Sequence, residues 1–182
     1  QLSETCNNFL RDREEVNLFK QLPSHVPKIG ICRGAQFLNV MSGGRLFQHV
    51  TNHGVNGTHI MQIMDSGVKI QVTSTHHQMM RVNDDAFVIA TAQEAMLKKA
   101  DNYEVRYNNL TRKETWDDVE VAYYSNTNSL CYQPHPEYTS KGNGDNQDFF
   151  LTLIEEYFLP DADIEVLHEK KAMRRRPNLG SS

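Results

Sequence analysis

Apolar positions along this chain follow two periods, and their alternation predicts the order of elements. In residues 3–22 they fall at Phe9, Leu10, Val16, Phe19 and Leu22, an imperfect helical stripe. Ser3 or Thr5 is placed to cap that helix and Pro23 to end it, and Arg11-Asp12-Arg13-Glu14-Glu15 reads as its solvated face. Ile29-Gly30-Ile31 is a short apolar run, the end of a buried strand. It passes straight into a second helical pattern at Gln36, Phe37, Val40 and Met41, which Gly43-Gly44 stops. Residues 48–66 are rich in Asn, Gly and Thr and predict a loop. Val68, Ile70 and Val72 alternate, which predicts a strand over residues 66–75, and Phe87-Val88-Ile89-Ala90 marks another over 86–92. Residues 93–118 are polar and predict a surface excursion in the form of a hairpin. Two further strands are predicted over 119–124 and 129–132, with Asn126-Thr127-Asn128 as their turn. Phe149, Phe150, Leu153, Ile154, Tyr157 and Phe158 then form a regular stripe, so a helix is predicted over 145–158, capped by Asp145 or Asn146 and stopped by Pro160. Residues 161–182 read as a tail ending in Arg174-Arg175-Arg176-Pro177, a solvated basic end or a docking segment.

Strands that alternate with helices predict an α/β fold in three layers with a mostly parallel central sheet. Chemistry is then expected at the carboxyl edge of the strands, and the later strands supply an antiparallel extension. A chain of 182 residues suits one domain with a full core.

Composition narrows the function classes. A net charge of −4 gives no electrostatic case for nucleic acid. No apolar run is long enough to span a membrane, and no leader pattern is visible. Cys6, Cys32 and Cys131 are odd in number and far apart, which fits neither a disulfide framework nor a metal signature. A reducing compartment, the cytoplasm, is the expected home. Asn56 and Asn109 begin Asn-x-Ser/Thr triplets, which are common by chance. His49 and His53 have a spacing that would suit metal binding on a helix, but Gly54, Asn56 and Gly57 argue for a loop there. No cysteine or carboxylate cluster accompanies them or His59, so neither a metal nor another cofactor is expected.

Cys32 lies at the junction between strand and helix, flanked by Gly30 and Gly34. A nucleophile at such a corner forms an elbow that lifts the side chain clear of the backbone. The glycines are expected because side chains there would crowd the turn. The helix that follows aims its positive end at Cys32, which favours thiolate, and the Arg33 N–H is placed to donate to an oxyanion. The alternative for a lone cysteine is a small buried hydrophobe. About a hundred residues on, Gln133-Pro134-His135-Pro136-Glu137 offers a base and a carboxylate to orient it. Alone, such a triplet is an ordinary surface loop; after an elbow, in the order Cys, His, Glu, it is a catalytic set.

The two stretches together, Gly30-Ile31-Cys32-Arg33-Gly34-x-Gln36 and Gln133-Pro134-His135-Pro136-Glu137, resemble the class I glutamine amidotransferase superfamily. Ser74-Thr75-His76-His77-Gln78, and Gly43-Gly44 followed by Arg45-Leu46-Phe47-Gln48, look like its gamma-glutamyl hydrolase, peptidase C26-like, branch. The resemblance runs from about residue 11 to residue 158. It implies a flavodoxin-like catalytic domain over residues 1–160, N-terminally incomplete, because members usually have further strands and a glycine-rich oxyanion loop upstream. It implies Cys32 as nucleophile, His135 as acid and base, and Glu137 as orienter. It also implies a substrate pocket with Ser74, His76 and His77 in one wall, and Gln36 either touching substrate or bracing the elbow. A polar turn is the plainer reading of 74–78. The expected reaction is hydrolysis of the side-chain amide of glutamine or a gamma-glutamyl compound. A glutaminase subunit feeding a synthase partner, a homo-oligomer and a non-catalytic binding or scaffold protein remain alternatives.

Overall fold

The computed structural model describes residues 9–48, 50, 57–92, 118–138 and 144–159. Helix α1 (Phe9–Gln21), strand β1 (Lys28–Ile31) and helix α2 (Arg33–Met41) come first. They are followed by β2 (Arg45–Phe47), β3 (Gly57–Ile63), β4 (Lys69–Ser74), β5 (Met79–Arg81) and β6 (Phe87–Ala92). Strands β7 (Val119–Tyr124) and β8 (Ser129–Tyr132) precede helix α3 (Gly144–Phe158). Six strands build one sheet in the order β1-β8-β7-β6-β3-β4, and β2 pairs with β5 in a separate ribbon.

The α/β class is as expected, with a mixed sheet rather than a mostly parallel one. Among the described strands only β1 and β8 run parallel, in the register Ile29↔Leu130 and Ile31↔Tyr132. The other four pairs of that sheet are antiparallel. Connection length explains the difference, since a parallel neighbour needs a long crossover. β3 and β4, and likewise β7 and β8, are joined by short turns, whereas α2 and most of the other strands intervene between β1 and β8.

Alternation along the strands sends side chains to two faces. Leu130, Tyr132, Val121, Met61 and Val72 form one core with Leu153 of α3, and Phe149, Phe150, Ile154 and Tyr157 pack against it. On the other face Cys131, Ala122 and Tyr124 meet Ala35 and Leu38 of α2, together with Met80 of β5. Helix, sheet and helix are the three layers. All of β8 is buried, which suits a strand covered on both faces.

Four further sequence expectations change. Helix α1 buries no residue, and its Phe9 and Leu10 are exposed; Phe19 alone makes a ring contact, edge-on to Phe37 of α2. Its charged run is not simply solvated, because Asp12 and Glu15 pair with Arg33. Ile29 is 42% exposed, since β1 is an edge strand among the described strands. Part of the expected 48–66 loop is strand β3, where alternate residues such as His59 and Met61 turn inward. His49, His53, the 93–117 excursion and the 161–182 tail lie outside the described residues.

The amine of Lys28 fixes the start of β1. It is buried and donates to the carbonyls of Pro23 at 3.2 Å, Val26 at 2.9 Å and Thr127 at 3.0 Å. The loop before β1 is thereby tied to the β7–β8 turn, which holds the two parallel strands in register.

Candidate active site

Parallel pairing of β1 with β8 does most of the work of assembly. Cys32 follows directly after Ile31, and His135 lies three residues past Tyr132, its register partner. Both residues therefore leave neighbouring strands at the same, carboxyl edge of the sheet. The Cys32 N–H donates to the Tyr132 carbonyl at 2.9 Å, one step beyond the ladder.

Cys32 forms a true elbow. Its φ is 50° and its ψ −109°, a conformation that costs a non-glycine residue about 1–3 kcal/mol. The Cys32 carbonyl already accepts from the Gln36 N–H at 3.1 Å, so α2 begins on Cys32 itself. Gly30 is demanded by this turn, because a Cβ there would sit on the Gly34 carbonyl and 2.6 Å from the Ala35 nitrogen. Gly34 is not demanded in the same way: nothing lies within 4 Å of the Cβ it lacks. The expected crowding is thus one-sided.

The sulfur is half-buried, and its acidity does not follow the helix alone. Burial raises the thiol pKa and is the largest influence. The Arg33 main-chain N–H opposes it, the charges of Glu137 and Glu120 add to it, and a hydrogen bond from Gln133 opposes it. The expected thiolate bias of the helix end is outweighed by desolvation. The Arg33 guanidinium is directed elsewhere, to Asp12 at 2.5 Å and to Glu15 at 2.9 Å.

His135 is held on several sides. Its Nδ1 lies 2.6 Å from Glu137 Oε1. An ionised carboxylate accepts only, so the proton of the neutral imidazole is on Nδ1 and the basic lone pair on Nε2. The His135 main-chain N–H donates to Thr73 Oγ1 at 2.6 Å, its ring stacks on Tyr138 at 4.6 Å between centroids, and its carbonyl accepts from Asn146 Nδ2 at 3.4 Å. Asn146 is fully buried at the start of α3 and also accepts from the Tyr132 hydroxyl. The sequence did not mark Thr73, Tyr138 or Asn146 as site residues, and Asn146 was expected only as a helix cap. Tyr138 adjoins the motif, but Thr73 and Asn146 reach it only through the fold.

The remaining candidates fall around the elbow. Gln36 is buried, with its amide donating to the Gln78 carbonyl at 2.9 Å and to Gln133 Oε1 at 3.1 Å. Its side chain thus lies inside the elbow, between the 74–78 loop and the strand end that carries Gln133. Ser74 and His76 are buried, and His76 Nδ1 also faces the Gln78 carbonyl at 2.9 Å, whereas His77 is exposed. Gln78 donates to Gln48 Oε1 at 2.9 Å, which joins the 74–78 loop to the end of β2. Beneath the site, Glu120 sits at a slip in the β6–β7 register and lies 3.0 Å from His59 Nε2, both side chains buried. Among the described residues no cluster of His, Cys, Asp or Glu suits a metal ion. No helix among them is long and apolar enough to cross a membrane.

The chain shares its fold with a "putative gmp synthase subunit a protein" from Thermoplasma acidophilum at a TM-score of 0.54 and 19% identity, over 87% of this chain and 71% of that one. It is similar to a glutamine amidotransferase from Thermotoga maritima at a TM-score of 0.53 and 14% identity, over 84% of this chain and 59% of that longer one. At these identities the likeness is one of fold. Comparison with curated proteins finds no match. The family model for peptidase C26 matches residues 2–104, which include the elbow and the 74–78 loop and stop short of His135. The chain belongs to the peptidase C26 family.

Proposed function

We propose that this chain is a cysteine-dependent hydrolase of gamma-glutamyl amides, with glutamine or a gamma-glutamyl compound as substrate. The observation that carries the reading is the elbow: a strained cysteine and a carboxylate-oriented imidazole leave adjacent parallel strands at the same edge. His135 Nε2 takes the thiol proton, and the Cys32 sulfur attacks the amide carbonyl carbon. The Arg33 N–H supplies one donor to the oxyanion. As the tetrahedral intermediate collapses, the C–N bond breaks and the nitrogen leaves with the proton held by His135. Water then adds to the thioester with His135 as base, the C–S bond breaks, and glutamate leaves. Glu137 keeps the imidazole in its tautomer throughout. His77, exposed beside the buried Ser74 and His76, is the proposed substrate contact of the 74–78 loop.

The test is turnover of glutamine and of a gamma-glutamyl anilide by the full chain and by Cys32→Ala. Loss of at least about a thousandfold in rate with unchanged unfolding is expected for the variant. Hydrolysis retained by folded Cys32→Ala overturns the assignment. A second reading, delivery of ammonia to a synthase, is kept because the fold is shared with a protein described as a synthase subunit. Under that reading glutamine hydrolysis is weak alone and rises when a partner is bound, and the anilide is a poor substrate.

A further inference from the structure

The reaction above leaves two buried glutamines beside the sulfur without a chemical role. Gln133 has no exposed surface and Gln36 very little. The orientation of each amide is forced by what faces it. The main-chain carbonyl of Gln78 can only accept, so the group 2.9 Å away is the Gln36 Nε2–H. The same nitrogen offers its second N–H to Gln133 Oε1 at 3.1 Å. With its oxygen so engaged, Gln133 turns its Nε2–H toward the Cys32 sulfur at 3.7 Å. The direction of the whole chain is thus set at its far end, and the last donor points at the reacting atom.

Such a donor matters here because of what else faces the sulfur. Burial and two carboxylates, Glu137 from the loop after β8 and Glu120 from β7, disfavour the thiolate. His135 is committed through Nδ1 to Glu137, and the Arg33 guanidinium is directed to Asp12 and Glu15. Besides the imidazolium formed when His135 takes the thiol proton, two neutral dipoles stabilise charge on sulfur: the Arg33 main-chain N–H and the Gln133 amide. A hydrogen bond to the charged form of a group favours that form.

We propose that Gln133 is a further catalytic residue, its amide N–H locked toward Cys32 Sγ by Gln36 and the Gln78 carbonyl, so that it stabilises the thiolate both before attack and when the thioester breaks. Gln36 is then a positioning residue, and the 74–78 loop is coupled to the acidity of the nucleophile. This rests on the reading of Cys32 as nucleophile.

The experiment is the pH dependence of Cys32 alkylation by iodoacetamide in the full chain, followed by peptide mass so that Cys6 and Cys131 are scored apart. Gln133→Met keeps the volume and removes the donor; its midpoint is expected to rise by about one pH unit. Gln133→Glu, with a negative acceptor at the same place, should raise it further. Gln36→Met should raise it less, and the Gln36→Met/Gln133→Met double variant should match Gln133→Met alone, because Gln36 acts only through Gln133. Where Gln133→Met does not unfold cooperatively, Gln133→Asn, which withdraws the amide by one methylene, takes its place with the same expectation. An unchanged midpoint in a folded Gln133 variant overturns the proposal, as do additive shifts in the double variant. Alkylation needs no turnover. A chain that shows these shifts but hydrolyses no gamma-glutamyl amide overturns the proposed function and leaves this inference standing.

Discussion

At the scale of single residues, the elbow separates two glycines that look alike in the sequence. Gly30 is fixed by contact, since α2 begins so close to β1 that a Cβ would meet backbone atoms that cannot swing aside. Gly34 is inside a helix with open space around it and no unusual φ. Gly30→Ala should therefore destabilise the fold by about 1–3 kcal/mol or more, as overpacking does. Gly34→Ala should stabilise it by up to about 0.5 kcal/mol, less than the helix-interior cost of glycine because Gly34 lies in the first turn of α2. Urea unfolding of both variants checks this, and similar effects of the same sign would contradict the close approach seen at β1. The pair also shows why strain is tolerated at Cys32. The main-chain bonds on either side of it, to Tyr132 and from Gln36, hold its backbone in place.

At the scale of elements, α1 and the β6–β7 pair behave differently from their sequence patterns. Helix α1 has an apolar stripe by spacing, yet none of its residues is buried. It is held by Phe19 on Phe37 and by Asp12 and Glu15 on Arg33, and ion pairs this exposed contribute about 0–1 kcal/mol. Elements with few buried contacts open first. Hydrogen exchange should therefore find the amides of α1 exchanging well before those of β7 and β8, and Arg33→Ala should speed α1 while leaving the sheet unchanged. Equal protection of α1 and β7 would show that the helix is anchored more firmly than these contacts allow. In the β6–β7 pair the register slips at Val88–Ala90 and again at Ala90–Thr91. A slip of this kind re-aims a side chain. Here it accompanies a fully buried Glu120 paired with His59.

At the scale of the whole molecule, the two-sided burial of the sheet makes the fold sensitive to alkali. The Cys131 thiol, wholly inside β8, is pushed up to about 12 by burial, and the Tyr124 hydroxyl to about 12 by burial first. An unfolded thiol ionises near its ordinary value, about 8.5. Between those values the unfolded chain binds fewer protons than the folded one, so unfolding becomes easier as pH rises. Stability is present in full below the unfolded value and is lost toward about pH 12. From pH 8 to pH 10 the Cys131 contribution to this loss should be about 2 kcal/mol. Cys131→Ala should be less stable at pH 7, from the cavity, and show a shallower decline above pH 8.5. Urea midpoints across that range measure it; equal slopes for both proteins would mean that the thiol ionises without unfolding.

The sequence by itself determined the local events of this protein. Short-range signals marked where α2, β4, β6, β7, β8 and α3 begin and end, because periodicity, caps and turns act over a few residues. They also placed Cys32 at a strand-to-helix corner and His135 two residues from Glu137. Strands β2, β3 and β5 were illegible, because two have three residues and the third lies in a stretch rich in glycine and asparagine. Only the tertiary structure decided that β1 and β8 are parallel neighbours, which brings residues a hundred positions apart to one edge. It alone decided that Thr73 and Asn146 hold His135, that Gln36 faces inward, and that the last donor of a buried amide chain meets the sulfur. The physical reason is the same in each case: these are contacts between side chains far apart in the chain, and no local preference encodes which partner closes them.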